Sequence, residues 1–289
     1  MLRPLCYVAT VASCATPSAQ DPAPLAPLSA SASSAPTLTD PAHLPSPPDP
    51  EPSPPSASAQ LPPLAAPAKL TPLAVPDYRD AIVSLPIGAT ESRPLVLALH
   101  GNYDRPEWQC GVWRDATRGY PFILCPRGVP RRDAPPSHDR WTYGKSGDVR
   151  REIDAALAAL RSRFGDYIAP GPVLYVGFSL GAILGVGIVA DHAERFPRAV
   201  LIEGGQSGWT EARAKSFAAA GGRRVLFACG QKSCQRECKA PERLLGRAGI
   251  ETRSVYGGEV GHTYDGPVAD EVERALPWLV GDDPRWSLP

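Results

Sequence analysis

Three stretches, far apart in the chain, carry the residue types of a nucleophilic hydroxyl and the base that would serve it. Val176-Gly177-Phe178-Ser179-Leu180-Gly181 sets a serine between glycines, directly after an apolar run and directly before a Gly/Ala-rich helical pattern. A Gly-x-Ser-x-Gly turn between strand and helix is so tight that small residues must flank the serine, and it leaves the hydroxyl exposed at a helix N-terminus. Upstream, the apolar run Leu95–Leu99 enters His100-Gly101-Asn102-Tyr103. There Gly101 lets the backbone turn, so the N–H of Asn102 can face the N–H of Leu180 across a developing alkoxide, and such donors contribute ~3 kcal/mol each when held in place. Downstream, His262 sits in Gly257-Gly258-Glu259-Val260-Gly261-His262-Thr263-Tyr264, just past the last apolar run. Of the other histidines, His43 lies in a Pro-rich tract, His100 in the turn itself, His138 in a polar loop and His192 late in the helix after Ser179, which leaves His262 as the general base.

A base of this kind is oriented by a carboxylate. Leu201-Ile202-Glu203 ends an apolar run, where an unpaired charge would be costly, and pairing with the His262 imidazole would satisfy it. Glu237 is the first carboxylate after Ala228-Cys229-Gly230, and a Ser-His dyad or an inactive site is the remaining alternative. Asp265 shares a loop with His262 and is expected to bind local backbone.

The elements that must hold these residues alternate. Short apolar runs at Ala81–Leu85, Leu95–Leu99, Phe122–Cys125, Val173–Val176, Ala199–Ile202, Val225–Ala228 and Thr252–Tyr256 read as strands. Helical patterns cover Asp148–Phe164, Leu180–Glu194, Thr210–Ala220, Pro241–Ala248 and Val268–Val280, the last despite Pro277. Several strands are continuously apolar, as strands buried on both faces should be, so the expected fold is α/β with a mainly parallel sheet flanked by helices. Ligands in such sheets sit beyond the carboxyl ends of the strands, where Ser179, Glu203 and Asn102 fall.

From about Tyr78 to Trp286 the chain resembles the α/β-hydrolases, on His100-Gly101-Asn102, Gly177-Phe178-Ser179-Leu180-Gly181 and Gly261-His262. The resemblance implies serine-nucleophile acyl chemistry with no metal or organic cofactor, and it leaves the substrate open. Many family members place an Asp shortly after the strand that here ends Ala228-Cys229-Gly230, whereas this chain continues Gln231-Lys232-Ser233-Cys234; the alternative family position is the end of the preceding strand, which is Glu203. Gly204-Gly205-Gln206-Ser207-Gly208 leads almost at once into a helix at Trp209, so no large cap domain is expected. The expected activity is cleavage of small-molecule or polymeric carboxylic esters through an acyl-enzyme on Ser179, with His262 as base, Glu203 as acid, and Asn102 and Leu180 as the oxyanion hole. The rivals are a serine peptidase, a thioesterase, a polyester depolymerase, and an inactive surface binding protein on the same fold. Trp108, Trp113, Trp141, Tyr143 and Trp209 are candidates for an aromatic groove, with packing as the alternative for each. Arg127, Arg131 and Arg132 follow a strand end and are candidates to meet an acidic substrate group, with a solvated loop as the alternative.

Composition places this domain on a stalk. Of the 35 prolines, 18 lie between Ala15 and Pro76, while all 26 glycines fall at or after Gly88. The Pro/Ala/Ser-rich tract 14–76 cannot build a core and is expected to be a disordered linker, extended at ~3 Å per residue, ahead of a hydrolase domain at 77–289. Residues 1–13 have the basic start and apolar middle of a signal peptide, and Val11-Ala12-Ser13-Cys14 resembles the lipobox of bacterial lipoproteins, in which the cysteine is lipidated. That resemblance implies a lipid anchor at Cys14 and, with Ala15 following, sorting to an outer membrane; a plainly secreted protein and a cytoplasmic one with an accidental match are the alternatives. Cysteine use agrees with an oxidising compartment: Cys110 with Cys125 and Cys234 with Cys238 are the expected disulfides, leaving Cys229 as a core thiol. A zinc site on Cys229, Cys234 and Cys238 is disfavoured by spacing and by the lack of a nearby histidine. Thirty basic against thirty acidic residues give a formal net charge of zero, so nothing favours nucleic acid, and no run of eighteen apolar residues could span a bilayer.

Overall fold

The seven apolar runs become seven strands of one eight-stranded sheet in the computed structural model, which describes residues 60–287. The strands are β1 (Leu70–Leu73), β2 (Ala81–Ser84), β3 (Leu95–Leu99), β4 (Phe122–Cys125), β5 (Val129–Pro130), β6 (Trp141–Thr142), β7 (Leu174–Phe178), β8 (Arg198–Ile202), β9 (Arg224–Cys229) and β10 (Glu251–Tyr256). Their order is β1-β2-β4-β3-β7-β8-β9-β10, with β5 and β6 forming a separate two-stranded ribbon. From β4 through β10 every pairing in the large sheet is parallel; only β2 and β1 run antiparallel to their neighbours.

Helices cover both faces, which is why β3 and β7 can be apolar throughout. These are α1 (Pro106–Ala116), α2 (Ser146–Phe164), α3 (Leu180–Asp191), α4 (Glu211–Ala219), α5 (Lys232–Glu237), α6 (Lys239–Arg247) and α7 (Pro267–Val280). Leu95, Leu97 and Leu99 point into one core with Ile153 of α2, Val186 of α3, Phe217 of α4 and Leu245 of α6. Val96 and Ala98 point into the other, with Trp113 of α1 and Val272, Leu276 and Leu279 of α7. The strand period of two thus sends alternate residues of β3 into different layers. Pro277 falls in the last turn of α7, where it removes one i→i−4 hydrogen bond just before the helix ends, and its own carbonyl accepts from Gly281 N–H at 3.0 Å.

The fold takes in residues that composition assigns to the stalk. β1 pairs antiparallel with β2, and Leu64, Leu73 and Val75 are buried. β1 is an edge strand, the one place in a sheet where Pro72 is tolerated, and it packs on a core built by the rest of the chain rather than supplying one. The remainder of the proposed linker, the signal sequence and Cys14 lie outside the described residues. No described helix is long and apolar enough to cross a membrane. Between β8 and α4 the chain makes only a 3-10 turn, Gln206–Gly208, so no cap domain is inserted there.

Two disulfides lie within the described residues. Cys110–Cys125 joins α1 to the end of β4. The second is Cys229–Cys234, which corrects the expected pairing of Cys234 with Cys238 and leaves Cys238 as a buried free thiol. The reason is helical spacing. Cys238 N–H donates to Cys234 C=O one turn back, and side chains four apart on a helix hold their Cβ atoms ~5–6 Å apart, beyond the ~4 Å a disulfide needs. Cys229, at the end of β9, faces Cys234 across the turn instead. Burial pushes the Cys238 thiol up to about 12, although its sulfur is 3.7 Å from that of Cys229.

Candidate active site

Ser179 stands between β7 and α3 with φ 49° and ψ −110°, a left-handed backbone rare outside glycine. The turn is held from both sides: Ser179 N–H donates to Ile202 C=O at 2.8 Å, and its carbonyl accepts from Ile183 N–H at 2.9 Å. Here the glycines are required by space. A Cβ on Gly177 would stand 2.7 Å from the Gly181 carbonyl, and one on Gly181 would run into the carbonyl of Leu99 on β3. The hydroxyl of Tyr175 donates to Gly181 C=O at 2.7 Å and fixes the first turn of α3. The N–H of Leu180, the first residue of that helix, has no intrahelical acceptor.

The turn after β3 lies beside the serine. His100 is wholly buried and stacks on Tyr143 with ring centroids 4.4 Å apart. Its Nδ1 is 2.8 Å from Gly101 C=O and its Nε2 is 2.9 Å from Arg127 C=O, so it shapes the turn rather than facing a substrate. A Cβ on Gly101 would overlap the ring of Phe178 and lie 3.4 Å from Cβ of Ser179, which sets this turn directly beside the serine. Asn102 follows, exposed, with its side-chain oxygen accepting from Thr142 Oγ1 at 2.7 Å and from Arg131 Nη1. Its backbone N–H has no acceptor among the described residues.

Glu203 occupies the end of β8, with φ 49° and its side chain 3% exposed. One carboxylate oxygen accepts from Gly230 N–H at 2.6 Å, and the other accepts from Nδ1 of His262 at 3.1 Å. The imidazole itself is 49% exposed and lies 5.0 Å, ring to ring, from Phe178, the residue before Ser179. Holding Nδ1–H on the carboxylate sets the tautomer that leaves Nε2 as a proton acceptor. Ser179 Oγ has no hydrogen-bond partner among the described residues, nor has Nε2 of His262. Glu237 is exposed at the end of α5 and makes no contact with His262, and Asp265 is tied locally to Thr263 Oγ1.

Sequence reasoning misses three residues that hold this arrangement. Gly230 donates to Glu203 and accepts at 2.9 Å from both Val260 and Gly261 N–H, so one residue positions Glu203 and the His262 loop together. A Cβ there would overlap the Gly261 carbonyl. Asp104 is buried, with Oδ2 accepting from Gly101 N–H at 3.1 Å and Oδ1 from Arg105 N–H at 2.7 Å. Tyr264 adds its hydroxyl to the same carboxylate at 3.2 Å and packs its ring 4.6 Å from Phe178. The sequence signal for Asp104 was its position just ahead of Pro106, where an acidic residue opens a helix; nothing in the sequence pairs it with Tyr264.

Of the aromatic candidates, Trp113, Tyr143 and Trp209 are core residues and Trp141 is half-buried beneath Arg127, leaving Trp108 exposed. Arg127 is structural: it donates to Asp80 C=O at 2.8 Å and to Glu107 at 2.7 Å. The Cys229, Cys234 and Cys238 sulfurs cluster within 4.8 Å, but two of the three are consumed in the disulfide.

No protein-family model matches this chain, and no curated protein matches it. Similarity to solved structures is extensive in shape and low in sequence. Esterase PE8 is 19% identical, with 66% of this chain and 94% of that chain covered and a TM-score of 0.50. TT1662 from Thermus thermophilus is 18% identical over 73% of this chain and 97% of that one, TM-score 0.51. A carboxylesterase of Bacillus cereus is 15% identical over 69% and 93%, TM-score 0.52. At such identities the likeness establishes the fold, which is that of the α/β-hydrolases.

Proposed function

We propose that this protein is a serine hydrolase that cleaves carboxylic esters through an acyl-enzyme. The observation that carries the reading is Glu203, buried at a strand end and bonded at once to Nδ1 of His262 and to Gly230 N–H. A buried carboxylate held between a loop imidazole and a backbone donor, beside a serine in a strained strand-to-helix turn, has the parts of a Ser-His-Glu triad. Ser179 Oγ attacks the acyl carbon as its proton passes to Nε2 of His262. The acyl oxygen takes the charge and is met by the N–H groups of Asn102 and Leu180. Collapse breaks the ester C–O bond, His262 returns the proton to the departing alcohol, and a water molecule then repeats the sequence to free the acid. Glu203 orients the ring through Nδ1 and stabilises the imidazolium. Exposed Ile183 in the first turn of α3 and Val260 two residues before His262 give the rim apolar character suited to an acyl chain.

The location we propose is outside the cytoplasm, with Cys14 as a lipid anchor and the linker as a spacer; the two disulfides support export. The carboxylate within hydrogen-bond reach of His262 favours this reading over that of an inactive binding protein. The test treats the full chain with a fluorophosphonate probe and maps the label. Labelling at Ser179 that disappears in Ser179→Ala, with parallel loss of 4-nitrophenyl butyrate hydrolysis, is the expected result; an unlabelled, folded wild type would end the esterase reading.

A further inference from the structure

Beside the oxyanion turn stands a group of side chains that the proposed chemistry does not use. Tyr103, which follows Asn102, has φ 63° and is 38% exposed; Trp108, in the first turn of α1, is 45% exposed. The guanidinium of Arg140 lies 4.6 Å from the Trp108 ring centre and 5.5 Å from that of Tyr103. Trp141, the next residue, exchanges backbone hydrogen bonds with Asp104 at 2.9 and 3.2 Å, so Arg140 is anchored to the same turn that presents Asn102. Tyr103 is two residues from Gly101, whose Cβ position is 3.4 Å from Cβ of Ser179, and two residues reach at most ~7 Å.

The arginines here differ in how they are neutralised. Arg105 pairs with Asp139 at 2.5 Å, Arg127 with Glu107 at 2.7 Å, and Arg131 with both oxygens of Asp133. Arg140 has no carboxylate partner among the described residues; one Nη1 donor goes to His138 C=O at 2.6 Å. A guanidinium held over aromatic rings without a carboxylate partner keeps N–H donors for a ligand, in the fork that matches a carboxylate. The geometry points to a subsite, formed by Arg140 between Tyr103 and Trp108, that binds a carboxylate on the substrate. Resting on the esterase reading, this names the substrate class as half-esters, molecules with an ester at one end and a free carboxylate at the other.

Monomethyl esters of dicarboxylic acids from glutaric to suberic, each set against the dimethyl ester of the same acid, isolate the charge. Methanol release by the full chain should favour the half-ester at one or more chain lengths. In Arg140→Gln that preference, as a ratio of kcat/KM values, should fall tenfold or more, and Arg140→Lys should restore part of it. Arg161→Gln loses the same charge from an exposed side chain in the last turn of α2, outside the group, and should keep the ratio within twofold. Equal use of half-ester and diester at every length, or a preference that survives Arg140→Gln, overturns the subsite. If neither ester is cleaved and Ser179 takes no label, it is the esterase reading that has failed. The subsite is then read by adipate quenching of tryptophan fluorescence: saturable quenching lost in Trp108→Phe and Arg140→Gln sustains it, and quenching unchanged in Arg140→Gln ends it.

Discussion

The hydroxyl of Tyr264 donates to Oδ1 of Asp104 over 3.2 Å, across 160 residues of chain, and so joins the loop that carries His262 to the turn that carries Asn102. His262 and Asn102, the proposed proton acceptor and oxyanion donor, stand on segments with no backbone pairing between them, and this buried bond, with the Phe178 ring packed against both Tyr264 and His262, sets their spacing. Burial, together with the Asp104 charge, holds the Tyr264 hydroxyl protonated at all ordinary pH values, so it remains a donor.

Tyr264→Phe should therefore separate positioning from binding. Removing a donor from a buried carboxylate costs about 1.5–3 kcal/mol. Turnover should drop roughly tenfold with KM for a neutral ester little changed, and urea denaturation should report the stability loss. Unchanged kcat in a destabilised but folded variant would make the bond purely structural.

Glu203→Gln keeps the volume and removes the charge that stabilises the imidazolium. Fluorophosphonate labelling of Ser179 should slow by about 100-fold or more, while Glu237→Gln should label like the wild type. Equal labelling rates for Glu203→Gln and wild type would restore the dyad.

Burial holds the pKa of His100 below its ordinary value of 6.5, against the pull of the Gly101 and Arg127 carbonyls. Below that pH the unfolded chain takes up a proton that the folded chain still refuses. Stability present above pH 6.5 is then lost as pH falls through the window beneath it, by up to about 1.4 kcal/mol per pH unit. Glu152, raised by burial, acts in the opposite sense nearer the carboxylate range. Thermal midpoints from pH 8 to 5.5 should fall on the acid side, and His100→Gln should flatten that limb. A midpoint that rises on the acid side would mean that the ring is already charged in the fold and donates to both carbonyls, and a flat curve that the fold leaves its proton affinity unchanged.

The cysteines give a chemical test. A non-reducing peptide map should show Cys229 linked to Cys234, with Cys238 alkylated only after unfolding. Replacing Cys110 and Cys125 together should cost about 3 kcal/mol for a loop of that length, read by urea denaturation. A Cys234–Cys238 link in the map would reverse the assignment made from helix spacing.

Much of this site is legible in sequence because its chemistry sits where the chain changes type. Ser179, Asn102 and Glu203 each follow an apolar run, and a parallel sheet gathers those ends along one edge. Glu203 could be singled out because a lone carboxylate at the end of a buried strand needs a partner. What sequence did not disclose are relations between loops: Gly230 serving acid and base alike, Asp104 meeting Tyr264, Arg140 between two aromatic rings. These depend on how far each loop reaches, which no local pattern encodes. The Pro-rich β1 was hidden for another reason, since an edge strand can be stabilised by a core to which it contributes little. Cysteine pairing turned on where α5 begins, a short helix with no apolar period of its own.

Ser179, Glu203 and Tyr103 share an uncomfortable backbone: φ is 49°, 49° and 63° at residues that all carry a Cβ. Each such conformation costs on the order of 1–3 kcal/mol. On the proposed function, the molecule would thus be sturdier with these residues blunted, and drift toward stability would erode activity unless selection opposed it. Ser179→Gly and Ser179→Ala both lack the hydroxyl and differ only in Cβ. The glycine variant should melt above the alanine one by ~2–4 °C, a gain of about 1 kcal/mol for a domain of this size. If the two melt together, the turn is relaxed and this tension between endurance and activity is absent.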